Sequence, residues 1–189
     1  MEMMKVNRRA VMSKRMIKTT LTELLISESL SSITVTKLCR IADINRSTFY
    51  AHYMDIFEVM EDMEDDFVQK ISPLRMGSAS GIMLNHIRSM VSYIDKHRET
   101  YVVLLKNGYL KEKCVQEWVS ILVDHNLVEE EYQKQQILVK FMFGEISEIL
   151  QSWVLGEIKI PYQELMVLLF QIIESINSVR KSIANPTKN

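Results

Sequence analysis

The chain has 189 residues, of which 47% are hydrophobic and 25% charged, and its formal net charge is −1. This composition excludes an intrinsically disordered chain, and the length allows one or two small hydrophobic cores. The charge is unevenly placed: residues 1–53 carry nine Lys and Arg against four Asp and Glu, a net +5, which leaves −6 for the remainder. Because nucleic-acid phosphates attract positive charge, the first 53 residues are the expected nucleic-acid face.

Cysteine and hydropathy patterns exclude several other classes of protein. Cys39 and Cys114 are too few and too far apart for a disulfide framework, and no Cys and His spacing resembles a zinc site. We therefore expect no metal, no cofactor and a reducing, cytoplasmic location. No secretory signal and no stretch of about eighteen uninterrupted apolar residues is found, so a membrane partner is not expected.

The N-terminal segment is predicted to be a flexible basic arm, residues 1–8, followed by a helix from Arg9 to Ser29. In this helix apolar residues recur at three- and four-residue steps, which is typical of one amphipathic stripe. The stripe consists of Met12, Met16, Ile17, Leu21, Leu24 and Leu25.

A helix-turn-helix pattern occupies residues 33–53. Thr34 can cap a short helix whose apolar side is Val35, Leu38, Cys39 and Ala42. The pattern breaks at Asp43, a residue type that tolerates left-handed backbone, and Asn45 is predicted to cap a second helix that begins near Arg46. A helix this short is unstable alone, so Phe49 and Tyr53 are predicted to pack it on its neighbours.

The other face of the second helix carries hydroxyls and donors suited to DNA, with no acid among them. Base-edge contacts are predicted for the residues at its start, Arg46, Ser47 and Thr48. Phosphate contacts are predicted for Tyr50 and His52, and for Thr36 at the second position of the preceding helix, where the helix dipole favours an anion.

Three local sequences together resemble the TetR/AcrR family of transcriptional regulators. They are the Ile-Thr-Val start at residue 33, the Ala-x-Ile-x-Arg turn at residue 42 and Ser47-Thr48-Phe49-Tyr50-x-His52-Tyr53. The resemblance, strongest over residues 10–70, implies an all-α, homodimeric regulator. It further implies a three-helix DNA-binding domain in residues 1–54 and a larger helical effector-binding and dimerisation domain in residues 55–189, entered by a linking helix over 55–71.

The same resemblance implies the partners. They are double-stranded operator DNA, a second copy of the chain, and a small molecule, apolar or aromatic, whose binding changes operator affinity; repression is the expected sign. Two positions where the family usually carries lysine hold Met54 and Ile56. Because each neutralised phosphate releases counterions, fewer lysines predict weaker binding with a shallower salt dependence.

The predicted linking helix starts with a capping-box-like pair, Asp55 and Glu58. Seven acidic residues precede its first basic residue, Lys70. This run is either a solvated helix face, the usual role of such runs, or a repulsive surface that orients the duplex or contacts another protein. Breakers over residues 72–81 then predict a hinge or domain boundary.

The following segment, residues 83–122, is helical in pattern and rich in Met and aromatic residues. These side chains favour an effector pocket, since flexible thioethers adapt to irregular ligands, but ordinary core filling explains them equally well. No lining residue is predicted. The residues concerned are Met83, Met90, Tyr93, Tyr101, Tyr109 and Trp118.

The last two predicted helices, residues 130–155 and 162–182, are apolar on more than one face. Such helices need two partners, which favours a dimer interface built as a four-helix bundle; the alternative is full burial within one subunit. The predicted interface residues are Phe141, Ile149, Trp153, Leu165, Leu169, Ile172 and Ile176.

Catalysis is not expected, because the sequence has no phosphate-binding glycine loop, no convincing nucleophile and base pair and no carboxylate pair in an apolar context. The leading hypothesis is a sequence-specific, ligand-responsive transcriptional regulator. The alternative is a helical protein-interaction adaptor that keeps the helix-turn-helix fold and binds DNA weakly. Salt dependence separates them, since DNA affinity falls with rising salt and an apolar protein interface barely responds.

Overall fold

A computed structural model describes residues 2–72, 80–123 and 128–184. These residues form helices and no strand, which confirms the all-α prediction. A short 3₁₀ turn, Leu30–Ser32, follows the first helix. The α-helices are α1 (Glu2–Leu25), α2 (Val35–Ile41), α3 (Arg46–Tyr50), α4 (Ile56–Ile71), α5 (Ser80–Lys96), α6 (Arg98–Asn107), α7 (Leu110–Leu122), α8 (Glu129–Val154) and α9 (Tyr162–Ala184).

The chain divides into two compact units. The first comprises Met1–Phe67 and Glu99–Tyr109, and the second comprises Val68–Arg98 and Leu110–Asn189. Most of α4 and nearly all of α6 therefore belong to the same unit as α1, α2 and α3. The boundary after residue 54 between a DNA-binding and an effector-binding domain remains a prediction about function. The predicted breakers at residues 73–79 lie outside the described residues.

The first unit is built around the inner face of α1. Ile17 and Leu21 are fully buried, whereas Met12 and Met16, predicted in the same stripe, are exposed. The predicted flexible arm is wrong, because α1 already begins at Glu2. Glu, Met, Lys and Arg, which dominate this segment, are all good helix formers, so the helix extends beyond the part that packs.

The second unit is a packed helical core. The rings of Trp118 on α7 and Phe143 on α8 stack with centroids 3.9 Å apart. At the end of α8, Gly156 has a φ of +77°, and its N–H bonds to the carbonyl of Trp153 at 3.1 Å. Left-handed backbone at this position ends the helix and favours glycine. The Trp153 indole N–H is satisfied by the carbonyl of Ile160 at 3.1 Å.

Over residues 2–72, 80–123 and 128–184 no helix is long and apolar enough to cross a bilayer. No group of three or more His, Cys, Asp or Glu residues there is placed to hold a metal ion.

Candidate nucleic-acid interface

The start of α2 is fixed by a side-chain cap, as predicted. Thr34 has extended backbone, and its hydroxyl oxygen accepts a hydrogen bond from the N–H of Lys37 at 3.2 Å. The cap satisfies one of the amides that a helix leaves without an internal partner. Thr36 is exposed in the first turn of α2, where a hydroxyl and backbone N–H groups are available to an anion.

The turn between α2 and α3 confirms the prediction for Asp43, which adopts left-handed backbone with a φ of +52°. The N–H of Ile44 donates to the carbonyl of Cys39 at 3.0 Å. This is the bond between residues five positions apart that characterises a Schellman motif. The chain thus reverses without glycine. This turn fixes the point at which α3 leaves α2.

The predicted side-chain cap on α3 is wrong. Asn45 holds the N-cap position, and its carbonyl accepts from the N–H groups of Thr48 at 3.0 Å and Phe49 at 3.1 Å. Its side chain makes no cap hydrogen bond and is exposed. The exposed Asn45 amide is therefore available to contact a ligand of α3.

The short helix α3 is anchored by Phe49, which is fully buried, and by Tyr53, which is 3% exposed, as predicted. The Phe49 ring contacts those of Tyr50 and Tyr53, with centroids 5.5 and 5.9 Å away. The predicted DNA contacts differ in exposure. Arg46, Ser47 and Tyr50 are exposed, and Thr48 and His52 are partly buried.

A polar cluster ties Tyr53, just after α3, to α1 and α4. The hydroxyl of Tyr53 donates to a carboxylate oxygen of Asp62 at 2.6 Å, and Lys18 lies 2.9 Å from the same oxygen. Burial and the Asp62 carboxylate raise the pKa of Tyr53, so the hydroxyl stays a donor. Burial opposes ionisation of Asp62, but Tyr53, Lys18 and Lys14 outweigh it and lower its pKa.

Several lysines of the positive N-terminal segment are already held by carboxylates. Lys18 pairs with Asp62 and Asp66, and Lys37 pairs with Glu28. The net charge of residues 1–53 therefore overstates the positive charge available to DNA. Arg40 and Arg46, by contrast, present exposed side chains on α2 and α3.

The two positions that lack the expected lysines have opposite environments. Met54 is 79% exposed directly after the recognition segment, whereas Ile56 is 4% exposed within the first unit. The capping-box-like pair is confirmed: the N–H of Glu58 donates to Asp55 at 2.9 Å, and Glu58 in return accepts from the N–H of Met54, one residue before Asp55, at 2.5 Å. The missing lysine at residue 54 thus falls on an exposed position and the one at residue 56 on a buried position; the expected effect on DNA affinity stays a prediction.

The predicted dimer residues are also divided by burial. Trp153, Leu165 and Leu169 lie in the core of the second unit, so they offer no surface to a second copy. Ile149, Ile172 and Ile176 are partly buried, and Phe141 is 64% exposed.

Other apolar side chains on α8 and α9 are exposed and were not in the predicted set. They are Ile137, Val167, Leu168 and Val179. An open depression of about 390 Å³ on α9 is lined by Gln163, Glu164, Val167, Leu168 and Gln171. These exposed apolar residues lie beside the predicted interface residues and not at them. The sequence of a helix that is apolar on both sides does not show which side faces inward.

The residues considered for an effector pocket belong to different units and differ in burial. Met90 and Trp118 are buried in the second unit, and Tyr101 is buried in the first. Tyr109 is exposed, and the side chain of Met83 lies outside the described residues. This distribution agrees with core filling for the buried members.

The fold has relatives among solved structures. A TetR-family transcriptional regulator from Streptomyces coelicolor matches with a TM-score of 0.61 and 14% identity over 90% of this chain and 82% of that one. The dihydroxyacetone kinase operon activator DhaS matches with a TM-score of 0.57 and 18% identity, covering 90% and 97%. The TetR-family repressor AlkX from Dietzia matches with a TM-score of 0.51 and 16% identity, covering 88% and 97%.

No protein-family model and no curated protein sequence matches the chain. The likeness is therefore one of structure at low sequence identity. It confirms the fold inferred from the helix-turn-helix residues: this chain has the fold of the TetR-family transcriptional regulators.

Proposed function

We propose that this protein is a sequence-specific DNA-binding transcriptional regulator. The geometry of residues 33–53 is the observation that carries the proposal. A capped helix, a tight left-handed turn at Asp43 and a short helix anchored by Phe49 leave Arg46, Ser47 and Tyr50 exposed on one element. This is the arrangement in which a second helix enters the major groove, with its N-terminal residues at base edges.

Within this proposal the residues have different tasks. Arg46, Ser47 and Thr48 contact base edges, Arg46 by two hydrogen bonds to guanine. Thr36, Tyr50 and His52 contact phosphates and set the register on the duplex. The exposed side chain of Asn45 joins the first group.

A second copy of the chain completes the regulator. We assign the dimer surface to the outward apolar side chains of α8 and α9, which include Phe141 and Leu168. The partly buried Ile149, Ile172 and Ile176 border this surface. A two-fold dimer would bind a pseudo-palindromic operator with half-site centres about 34–36 Å, or a multiple of this, apart.

The proposed sign is repression, relieved by a small apolar or aromatic effector. A dimer bound to an operator beside a promoter blocks the promoter to the transcription machinery. Repression therefore requires no contact other than that with DNA. DhaS is an operon activator and AlkX is a repressor, so the fold accommodates both signs. A reporter gene placed behind the recovered operator distinguishes them.

The decisive experiment is selection of bound duplexes from a random pool with the full-length protein, followed by sequencing. A recovered palindrome supports the proposal, and absence of enrichment at low salt contradicts it. Arg46→Ala should abolish preference at one base pair at a cost of about 1–3 kcal/mol, whereas Tyr50→Phe should weaken all sequences alike. Lys140→Ala, an exposed position on α8, is the matched control and should change neither.

The adaptor hypothesis is supported by one observation, the pairing of Lys14, Lys18 and Lys37 with carboxylates, which reduces the charge available to phosphates. Under that hypothesis the retained partner would be a protein. Binding that is unaffected between about 0.05 and 0.2 M salt would favour it, because DNA contacts weaken steeply over that range.

A further inference from the structure

The Lys and Arg side chains of residues 8–53 fall into two groups according to their partners. Lys14, Lys18 and Lys37 each form an ion pair with a carboxylate. The arginines of this range are exposed, and in the part of the chain that the structure describes none of them forms an ion pair. They are Arg8, Arg9, Arg15, Arg40 and Arg46. The paired cations are thus all lysines, and the unpaired ones are all arginines.

Two of the lysines are paired along the contact between α1 and α4. Lys14 and Lys18 are four residues apart, as are Asp62 and Asp66, so each pair lies on one side of its helix. Oδ2 of Asp62 lies 3.3 Å from Nζ of Lys14 and 2.9 Å from Nζ of Lys18. Nζ of Lys18 also lies 2.6 Å from Oδ2 of Asp66. The two acids therefore neutralise two positive charges of α1.

The third lysine belongs to α2. Lys37 pairs with Glu28, which lies between α1 and the 3₁₀ turn. The exposed fractions of the two side chains are 34% and 26%. Thr36, the residue before Lys37, is one of the proposed phosphate contacts. The pair therefore removes a positive charge close to the place where a phosphate is proposed.

The pair at Asp62 lies beside another proposed phosphate contact. Nζ of Lys14 is 5.0 Å from the ring centroid of Tyr53, the residue that follows His52. The Lys14 side chain is 44% exposed, and a lysine carries its charge on a flexible four-carbon stem. Without Asp62 the ammonium would be available to the phosphate assigned to His52.

Stability is a weak reason for these ion pairs. Pairs that are open to water contribute little, because solvent screens the charges and the ordering of two long side chains costs entropy. Asp66, for example, is 63% exposed. The effect on charge is larger, since three of the eight Lys and Arg charges of residues 8–53 are cancelled.

A lysine that already has a carboxylate partner adds little to DNA affinity. An unpaired ammonium gains affinity from a phosphate because counterions of the DNA are released. A paired ammonium that moves to a phosphate leaves a carboxylate behind, and that carboxylate attracts cations from the solution. The net release of ions is then small, whether or not the lysine changes its partner.

We propose that three carboxylates are internal counterions, which keep the paired lysines from DNA phosphates and so lower the sequence-independent part of DNA affinity. These carboxylates are Glu28, Asp62 and Asp66. The unpaired arginines stay available, and arginine is the side chain that contacts guanine by two hydrogen bonds. A larger share of the binding free energy then comes from base edges. This inference rests on the proposed DNA-binding function and extends it to residues that do not themselves contact DNA.

Glu28→Gln is the most direct test, because it keeps the size of the side chain and frees Lys37. The probe is a random-sequence duplex of about two helical turns. We expect the plot of log affinity against log salt to steepen by about 0.9 for each chain bound, which is about eightfold in affinity at about 0.1 M salt. Glu23→Gln, the same change at an exposed position of α1, is the matched control and should alter neither. Equal results for the two variants overturn the proposal.

Removal of an acid near DNA also reduces repulsion, and the lysine distinguishes the two causes. In a Lys37→Gln background, Glu28→Gln frees no ammonium, so the double variant should keep the slope of the natural chain. A gain in the double variant as large as that in Glu28→Gln would assign the effect to repulsion and overturn the proposal. Lys37→Gln alone should leave the slope unchanged. A fall of about 0.9 would show that Lys37 already contacts a phosphate, which also overturns the proposal.

Asp62→Asn tests the pairs between α1 and α4. It keeps an oxygen that can accept from the Tyr53 hydroxyl, and it frees Lys14. We expect the same steepening of the slope, and we expect Lys14→Gln to cancel it. Damage to the fold lowers DNA affinity, so damage does not explain a gain. A steepening that persists with Lys14→Gln contradicts the role of Asp62 as a counterion.

Selection of duplexes by the natural chain decides the proposed function separately. If a palindrome is recovered and Glu28→Gln leaves the slope on the random duplex unchanged, the counterion proposal fails and the regulator stands. If no palindrome is recovered, but Glu28→Gln steepens the slope and Lys37→Gln cancels the effect, the regulator fails and the counterion assignment stands. If neither the natural chain nor Glu28→Gln binds any duplex at low salt, both fail.

Discussion

Replacing Met54 with lysine would add a cation beside the recognition segment at a defined place. The position is 79% exposed, and its backbone N–H is held by Glu58 at 2.5 Å, so the point at which the side chain leaves the backbone is fixed. One added phosphate contact steepens the plot of log affinity against log salt by about 0.9 for each reading segment. At 0.1 M salt that corresponds to a gain of about eightfold for each segment, on operator and random DNA alike.

Fluorescence anisotropy at several salt concentrations measures both the slope and the affinity. Met54→Gln is the uncharged control and should leave the slope unchanged. Ile56→Lys is the buried counterpart: at 4% exposure the ammonium would enter the first unit and destabilise the fold by about 3 kcal/mol or more instead of strengthening binding. An unchanged slope for Met54→Lys, in a chain whose natural form binds DNA, would refute the placement of residue 54 beside the duplex.

Three further predictions concern stability and assembly. Gly108→Ala should lower the free energy of unfolding in urea by about 2–4 kcal/mol, because the new Cβ meets the buried carboxylate of Glu64. Gly156→Ala, where φ is +77° and the space is open, should lower it by only about 1–2 kcal/mol. Equal losses for the two variants would contradict the close fit at residue 108. Because the pKa of Asp62 is lowered in the folded protein, its contribution to stability is present above about pH 4 and is lost as the pH falls through the folded-state pKa. Asp62→Asn should therefore flatten the acid part of the plot of unfolding free energy, measured in urea, against pH. An unaltered plot would show that another group causes the loss. Leu168→Glu should shift the sedimentation of the protein from dimer to monomer without unfolding it. Leu165→Glu, at a fully buried position, should instead unfold the chain. A dimer that survives Leu168→Glu would place the interface elsewhere.

Signals that lie close together in the sequence were predicted well. The Thr34 cap, the left-handed Asp43 and the Asp55 and Glu58 capping box each involve residues within about one helical turn of each other, so their geometry follows from local chemistry. Phe49 and Tyr53 were predicted to be buried for a related reason: a helix as short as α3 requires apolar anchors. The TetR-like fold itself was identified from three short motifs within residues 33–53.

Contacts between distant residues were not predicted. Glu64 was one acid in a run interpreted as a solvated face or a repulsive surface, and its partner Tyr109 lies 45 residues later. The pairing of Lys18 with Asp62, 44 residues away, was likewise not predicted. The orientation of α9 was missed for another reason: Leu165 and Leu168 are equally apolar, so composition does not show which of them faces the core.

The two tryptophans of the chain make its intrinsic fluorescence specific to one of the two units. The chain contains two tryptophans, Trp118 and Trp153, and both lie buried in the second unit, one stacked on Phe143 and the other under the guanidinium of Arg98 at 4.7 Å. When only indole is excited, the emission therefore reports on the second unit, and the first unit does not contribute to it. Candidate effectors can be screened by emission from the unlabelled chain, and operator binding can be followed in the same cuvette with a dye on the duplex.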